Sequence, residues 1–362
     1  MISILGHNIF TGVGLGSVKV YEELLAGRTG LAPREGVFGV PDPFYSSLFE
    51  ERDMTLEEAM TLSAEDAIRM SGIDPASEKT IFIISSTKGN VKLLEQDPSG
   101  LHADLPICVT ARKVAARFGN AIDPVCVTNA CASGIVAQTC ALRAIESGEF
   151  DYAVVIGADM LSRFIVAGFQ SLKALSSERC RPFDINRKGL NLSEAVATIV
   201  FGRDGKGIGV GLERGCIRND ANHISAPSRT GEGQLAALQG IMQGVSARDV
   251  AFVNVHGTAT LYNDNMESVA LHRAGLDSVP AVSLKSFFGH TLGAAGVMET
   301  VISSLAFLDG LVPPTFCYQE CGVDYPLNIS PSVRPAQGSC FIKIMSGFGG
   351  INAATLYRRT GL

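Results

Sequence analysis

Three side chains with reactive atoms lie in surroundings of small residues: Cys131 in VTNACASG, His256 in NVHGTAT and His290 in KSFFGHTLGAAG. Cys131 falls where an apolar run ends and an Ala- and Leu-rich helical pattern begins, which puts its thiol at the first turn of a helix. Free backbone N–H groups and the positive end of the helix dipole favour the thiolate there, and the thiolate is the form that attacks a carbonyl carbon. Ala130, Ala132, Ser133 and Gly134 leave room for a substrate at such an elbow. A buried, inert cysteine is the competing reading of this local context. Cys108, Cys126, Cys140, Cys180, Cys216, Cys317, Cys321 and Cys340 are read that way.

His256 and His290 each follow a strand-like run that ends in a turn. Strand ends are where α/β proteins gather reactive groups, and imidazole there serves as proton donor, acceptor or electrostatic stabiliser near neutral pH. One such histidine is usually structural; two, with an elbow cysteine, point to a site. His7, His102, His223 and His272 lack that context and are read as structural. The segment SGFGGINA (Ser346–Ala353) sets three glycines around Phe348 after the strand-like FIKIM, so its N–H groups can point into a cavity as an oxyanion hole does. An ordinary turn is the alternative. The run GVGLG (Gly12–Gly16) lacks the full spacing of a dinucleotide fingerprint, and no spacing of His, Cys and carboxylates suggests a metal site.

The elements that must position these residues are short Val- and Ile-rich runs, Thr80–Ser85, Tyr152–Gly157 and Val196–Phe201, alternating with longer helical patterns. That rhythm predicts an α/β architecture with strands buried on both faces. A strand over Asp123–Asn129 precedes a helix over Ala132–Ser147, and a similar unit follows: a strand over Ala281–Lys285, a bend at Gly289 and a helix over Gly293–Leu308. Two similar halves are expected, 1–205 carrying the cysteine and 206–362 carrying both histidines, joined by the turn-rich RDGKG (Arg203–Gly207).

Composition agrees with a large core: 362 residues, 46% hydrophobic and 18% charged, without low-complexity tracts. The nine cysteines are odd in number and irregularly spaced, which argues against a disulfide framework, and neither a leader nor a membrane-length apolar run is visible. A reducing, cytoplasmic setting is inferred. A net charge of −6 argues against general nucleic-acid binding.

Taken in order, the motifs resemble the β-ketoacyl-acyl carrier protein synthases of the decarboxylating Cys-His-His type. NACASG is similar to the family's nucleophile motif, RPFDINRKG (Arg181–Gly189) to its central loop and NDANHISAP (Asn219–Pro227) to the opening of its second half. HGTATLYND, LKSFFGHTLGAAGVME, LVPPT and SGFGGINA complete the set. The resemblance implies a five-layered αβαβα thiolase-like fold of two halves, and a homodimer or a heterodimer with a related subunit. It implies that Cys131 accepts an acyl group, with the Cys131 and Phe348 backbone N–H groups holding the oxyanion. His256 and His290 would stabilise the enolate left when a malonyl thioester loses carbon dioxide. Lys285 and Glu299 would hold the site together, Thr258 and Thr260 would contact the phosphopantetheine arm of acyl carrier protein, and Phe348 would gate acyl entry. No bound cofactor is expected, only substrates carried on phosphopantetheine.

The chain also departs from the family's pattern. The segment between Ser85 and Cys131 is several tens of residues shorter than in typical members, and LSEAVA (Leu192–Ala197) keeps Glu194 but loses glycines. FEERDMTLEEAM (Phe49–Met60) is acidic where relatives carry basic residues, so carrier docking is assigned to Arg179, Arg181, Arg187 and Lys188 in the central loop. The rival readings are a chain-length-setting partner subunit, a thiolase or initiating synthase using acyl-coenzyme A, and a cysteine hydrolase. The first usually lacks the nucleophile, the second pairs Cys with other groups, and the third finds no support in the remaining motifs.

Overall fold

The computed structural model describes residues 1–51, 53–96, 99, 102–203 and 207–360. Ten strands form its frame: β1 (Ile2–Thr11), β2 (Thr80–Ser85), β3 (Val125–Val127), β4 (Tyr152–Asp159) and β5 (Ala195–Gly202), then β6 (Val210–Asn219), β7 (Val250–Asn254), β8 (Pro280–Val282), β9 (Cys340–Gly347) and β10 (Ile351–Arg359). The first five lie in the order β3-β2-β4-β5-β1 and the second five in the order β8-β7-β9-β10-β6. Each half thus runs third, second, fourth, fifth, first. In each, the second strand is parallel to its two neighbours and the fifth is antiparallel to both of its own. The first strands of the two halves meet where Ile2 and Ser3 pair with Leu212 and Gly211.

The layers are completed by α1 (Leu56–Ser71), α2 (Ile107–Arg117), α3 (Ser133–Glu146), α4 (Glu232–Ile241), α5 (Leu261–Arg273) and α6 (Ala295–Leu308). Strand alternation sorts side chains between them. Ile81, Ile83, Ala153 and Val155 face one core with α3 and α6, while Phe82, Ile84, Val154 and Ile156 face a second core under α1 and α2. In the other half Phe341, Met345, Ala353 and Tyr357 join the central core, and Ile342, Ile344, Ala354 and Leu356 pack under α4 and α5. The order is helix, sheet, helix, sheet, helix. Helix α6 is buried on nearly every side, as a helix apolar all round must be.

The seam between α3 and α6 depends on two glycines. A Cβ on Gly134 would lie 2.8 Å from the Val297 nitrogen, and one on Gly296 would lie 2.7 Å from the Ile135 nitrogen. Backbones this close admit no side chain, so the helices and the loops leading into them are held together.

Expected and observed elements differ mainly at their ends. Thr80–Ser85 is a strand over the residues expected, but the strand expected over Asp123–Asn129 is confined to Val125–Val127. Pro124 has no N–H to give a ladder, and Ala130 turns the chain with φ 48°. Lys285–Phe288 is a helical turn, not the end of a strand. The stretch between Ser85 and Cys131 supplies α2, with Asp97, Pro98, Gly100 and Leu101 outside the described residues. So are Asp204, Gly205 and Lys206 of the expected connector, and Arg52 of the acidic stretch. In that stretch Thr55 and Glu58 form a capping box on α1, and Glu57 and Glu58 sit in its first turn, where the helix dipole favours them. No helix among the described residues is long and apolar enough to cross a membrane.

Candidate active site

The loops after β2 and β3 in one half, and after β7 and β8 in the other, meet at the seam of α3 and α6. Cys131 stands in a single 3₁₀ turn, Ala130–Ala132, leading into α3. The left-handed φ of Ala130 makes the elbow, and Gly347 fits against it, since a Cβ there would lie 3.1 Å from the Cys131 nitrogen. His256 follows β7, and His290 precedes the turn into α6. The Cys131 sulfur and one ring nitrogen from each histidine all lie within 4.8 Å of one another, and the two rings stand edge to face with centroids 5.1 Å apart. They floor a cavity of about 370 Å³ whose walls include Phe169, Thr258, Thr260, Lys188 and Phe348.

Hydrogen bonds set the imidazoles. The Leu292 N–H donates to His290 Nδ1 (3.2 Å), so the neutral ring carries its proton on Nε2, which is buried without a partner among the described residues. His290 is clamped to the segment that follows the central loop, its N–H donating to Asn191 O (2.6 Å) and its carbonyl accepting from Ser193 N–H (3.0 Å). His256 leaves Nδ1 buried without a partner among the described residues. Its loop is held by Glu267, which accepts from the N–H groups of His256 (2.6 Å) and Gly257 (2.7 Å).

Charge is arranged behind the rings. Glu299 Oε1 lies 2.7 Å from Lys285 Nζ and Glu299 Oε2 lies 2.6 Å from Lys343 Nζ, all three groups buried. Burial first, then the Lys285 ammonium, holds both histidines well below 6.5, so they rest neutral. The thiol departs from the helix-terminus expectation. Burial pushes Cys131 up to about 11, and the nearby Lys285 opposes this only in part. Desolvation outweighs the end of a helix, and Cys131 rests as a thiol. Cys, His and His would also suit a soft divalent cation, but two ammonium groups beside them weigh against one.

The other expected residues separate into two groups. The Thr258 and Thr260 hydroxyls, 2.9 Å apart, face the cavity. Phe348 is 40% exposed at the tip of the β9–β10 turn and stacks on Phe169 at 5.9 Å. Lys188 is exposed, pairs with Glu178 (2.6 Å) and lines the mouth. Arg179 is partly buried, its Nε donating to Ser286 O (3.2 Å), and Arg181 is partly buried in the same loop. Arg187, expected on a docking surface, is buried instead. It donates to the carbonyls of Asp184 (2.9 Å), Gly322 (2.5 Å) and Leu261 (3.3 Å) and lies 3.9 Å from Asp264, so its fork is committed to the interior. His7 bonds to Ser17 and His272 to Asp277, outside this cavity.

Reading the sequence missed Lys343, Glu267, Asp264 and Asp159. Asp264 accepts from Phe183 N–H (2.7 Å) and Ala259 N–H (3.2 Å). Asp159 accepts from Ser86 Oγ (2.8 Å) and from the N–H groups of Thr87 (3.0 Å) and Gly293 (2.6 Å). A signal existed for the acids of α5: Asp264, Glu267 and Leu271 form one 3–4 stripe, where a core-facing helix would otherwise be apolar.

A five-layered frame of two like halves, with cysteine and histidines meeting at its seam, defines a thiolase-like condensing fold. Family models described as "Beta-ketoacyl synthase, N-terminal domain" and "Beta-ketoacyl synthase, C-terminal domain" match residues 41–206 and 212–319. The chain belongs to the β-ketoacyl synthase family, acyl-transferring condensing enzymes of fatty-acid and polyketide elongation. It is 34% identical to 3-oxoacyl-[acyl-carrier-protein] synthase 2 of Rhizobium meliloti (strain 1021), over 64% of this chain and 60% of that one. It is 28% identical to the putative polyketide beta-ketoacyl synthase 1 of Streptomyces cyaneus over 413 aligned positions, 98% of this chain and 97% of that one. An alignment that long against 362 residues leaves many positions without a counterpart here. Among solved structures, the ishigamide ketosynthase/chain length factor superposes with a TM-score of 0.88 at 25% identity, covering 99% of both chains.

Proposed function

We propose that the chain catalyses decarboxylative Claisen condensation between an acyl group on Cys131 and a malonyl thioester on the phosphopantetheine of acyl carrier protein. The Cys131 sulfur attacks the acyl carbonyl while a neutral imidazole takes the thiol proton. The tetrahedral oxyanion is held by the N–H groups of Cys131 and Phe348, and its collapse expels the carrier thiolate, which recovers that proton. A malonyl thioester then loses carbon dioxide, leaving its electron pair as an enolate whose oxygen faces the imidazole N–H groups. The enolate carbon attacks acyl-Cys131, the carbonyl re-forms as the Cys131 sulfur leaves as a thiolate, and that thiolate takes one proton from solvent. The observation that carries this reading is the approach of Cys131, His256 and His290 to within 4.8 Å at the floor of one cavity, with both rings held neutral by burial and Lys285.

Thr258 and Thr260 are positioned to meet the pantetheine arm, and Phe348 to gate entry. The matching strand orders support halves at 1–205 and 206–362. Dimerisation, with a second copy or a related subunit as in the ketosynthase/chain length factor assembly, is supported by edge strand β3, paired on one side by β2 and exposing 41% of Val125. All nine cysteines are free, which fits a reducing, cytoplasmic setting.

The test separates the half-reactions. His290→Ala is expected to slow release of labelled carbon dioxide from malonyl-carrier about 100-fold and to leave acyl loading of Cys131, read by intact mass, within about threefold. An equal loss in both would contradict the role given to His290.

A further inference from the structure

Lys343 belongs to a strand buried on both faces, where a lysine has to be explained. It pairs in register with Asn254 of β7 and Thr355 of β10, and its side chain runs behind the histidines. Its ammonium donates to Asn254 Oδ1 (3.0 Å), Val255 O (3.1 Å) and Ile344 O (3.0 Å), and lies 2.6 Å from Glu299 Oε2. Val255 immediately precedes His256. Lys285, on the other oxygen of Glu299, lies five residues before His290. One carboxylate therefore links the two histidine-bearing loops, through one lysine on each side.

We propose that Lys343 is a positioning residue of the condensing reaction: it ties the His256 loop to Glu299 and supplies the second buried cation against two carboxylates, Glu299 and Glu267. This rests on the function proposed above. The charged and titratable groups around the histidines are Lys285, Lys343, Glu299 and Glu267, with Asp264 next to Glu267, and Cys131 opposite with Asp159 near it. Lys285 and Lys343 both hold the imidazoles neutral. Without Lys343 one of these cations is gone, the imidazoles gain protons more readily, and the anionic malonyl group meets less positive charge. Neutral ring N–H groups and an anion-tolerant floor are what decarboxylation to an enolate requires.

The experiment compares wild type with Lys343→Gln, Lys343→Met and Lys343→Arg in the full-length protein, measuring decarboxylation of malonyl-carrier against pH and acyl loading of Cys131 by intact mass. Gln keeps hydrogen bonding without charge, and Arg keeps charge. Lys343→Gln and Lys343→Met are expected to move the acid limb of kcat/KM upward by about one pH unit, lowering kcat/KM about tenfold at pH values below that limb, with Lys343→Arg leaving the limb in place. Burial, then the neighbouring Asp264, pushes the Glu267 carboxyl up to about 7, so the comparison is repeated on a Glu267→Gln background, where a limb shift that survives belongs to the histidines. Should Lys343→Met fail to fold, Lys343→Gln decides alone. A folded Lys343→Gln protein with an unmoved acid limb would overturn the inference while acyl loading and decarboxylation left the proposed reaction standing. A wild type that loads acyl groups yet never decarboxylates malonyl-carrier would overturn both.

Discussion

The two halves share one strand order and differ in what they place at the strand ends. After its third strand the first half offers Cys131 and the second offers His290; after its second strand the first half offers Ser86 and the second offers His256. Their buried acids are handled differently too. Asp159 is satisfied by a hydroxyl and backbone N–H groups, whereas Glu299 is ion-paired with two lysines. The frame is repeated, and the chemistry comes from breaking the repetition. The half with Cys131 leaves its thiol protonated, and the half with the cations keeps its imidazoles neutral, so the two halves set their reactive groups differently.

The comparison breaks most completely at the seam. Gly296→Val would drive a side chain into the Ile135 nitrogen, and a loss of more than about 3 kcal/mol or of folded protein is expected in thermal unfolding. The electrostatic division is sharpened by alkylation of Cys131. With the thiol at about 11, the rate with iodoacetamide should rise about tenfold per pH unit from pH 7 to 10; a plateau below pH 8 would mean that Lys285 and the helix end outweigh burial. The smallest effects separate neighbouring basic residues of the central loop. Arg187→Met should cost about 2 to 3 kcal/mol by leaving three carbonyls and Asp264 without their donor, and Lys188→Ala less than about 0.5 kcal/mol in denaturant unfolding.

Much of this arrangement was legible beforehand, for physical reasons. Strands buried on both faces read as uninterrupted apolar runs, so Thr80–Ser85 matched residue for residue, and a strand-to-helix junction of small residues marked Cys131. What was hidden depends on long-range partners. Asp159 is satisfied by Gly293, and Lys343 by Glu299 and Val255, contacts across more than forty positions that no local pattern carries. Arg187 and Lys188 looked alike as adjacent charges, yet one is buried and the other exposed. The thiol's protonation was misjudged because a helix end is visible in sequence and desolvation is not.

The central claim is that Cys131 carries the acyl group, and intact-protein mass spectrometry tests it most directly. Wild type and Cys131→Ala are mixed with acyl-loaded carrier protein and then with malonyl-loaded carrier. An acyl adduct on wild type alone, disappearing as β-ketoacyl carrier forms, is expected. An adduct that persists in Cys131→Ala, or condensation by that variant, would contradict the claim.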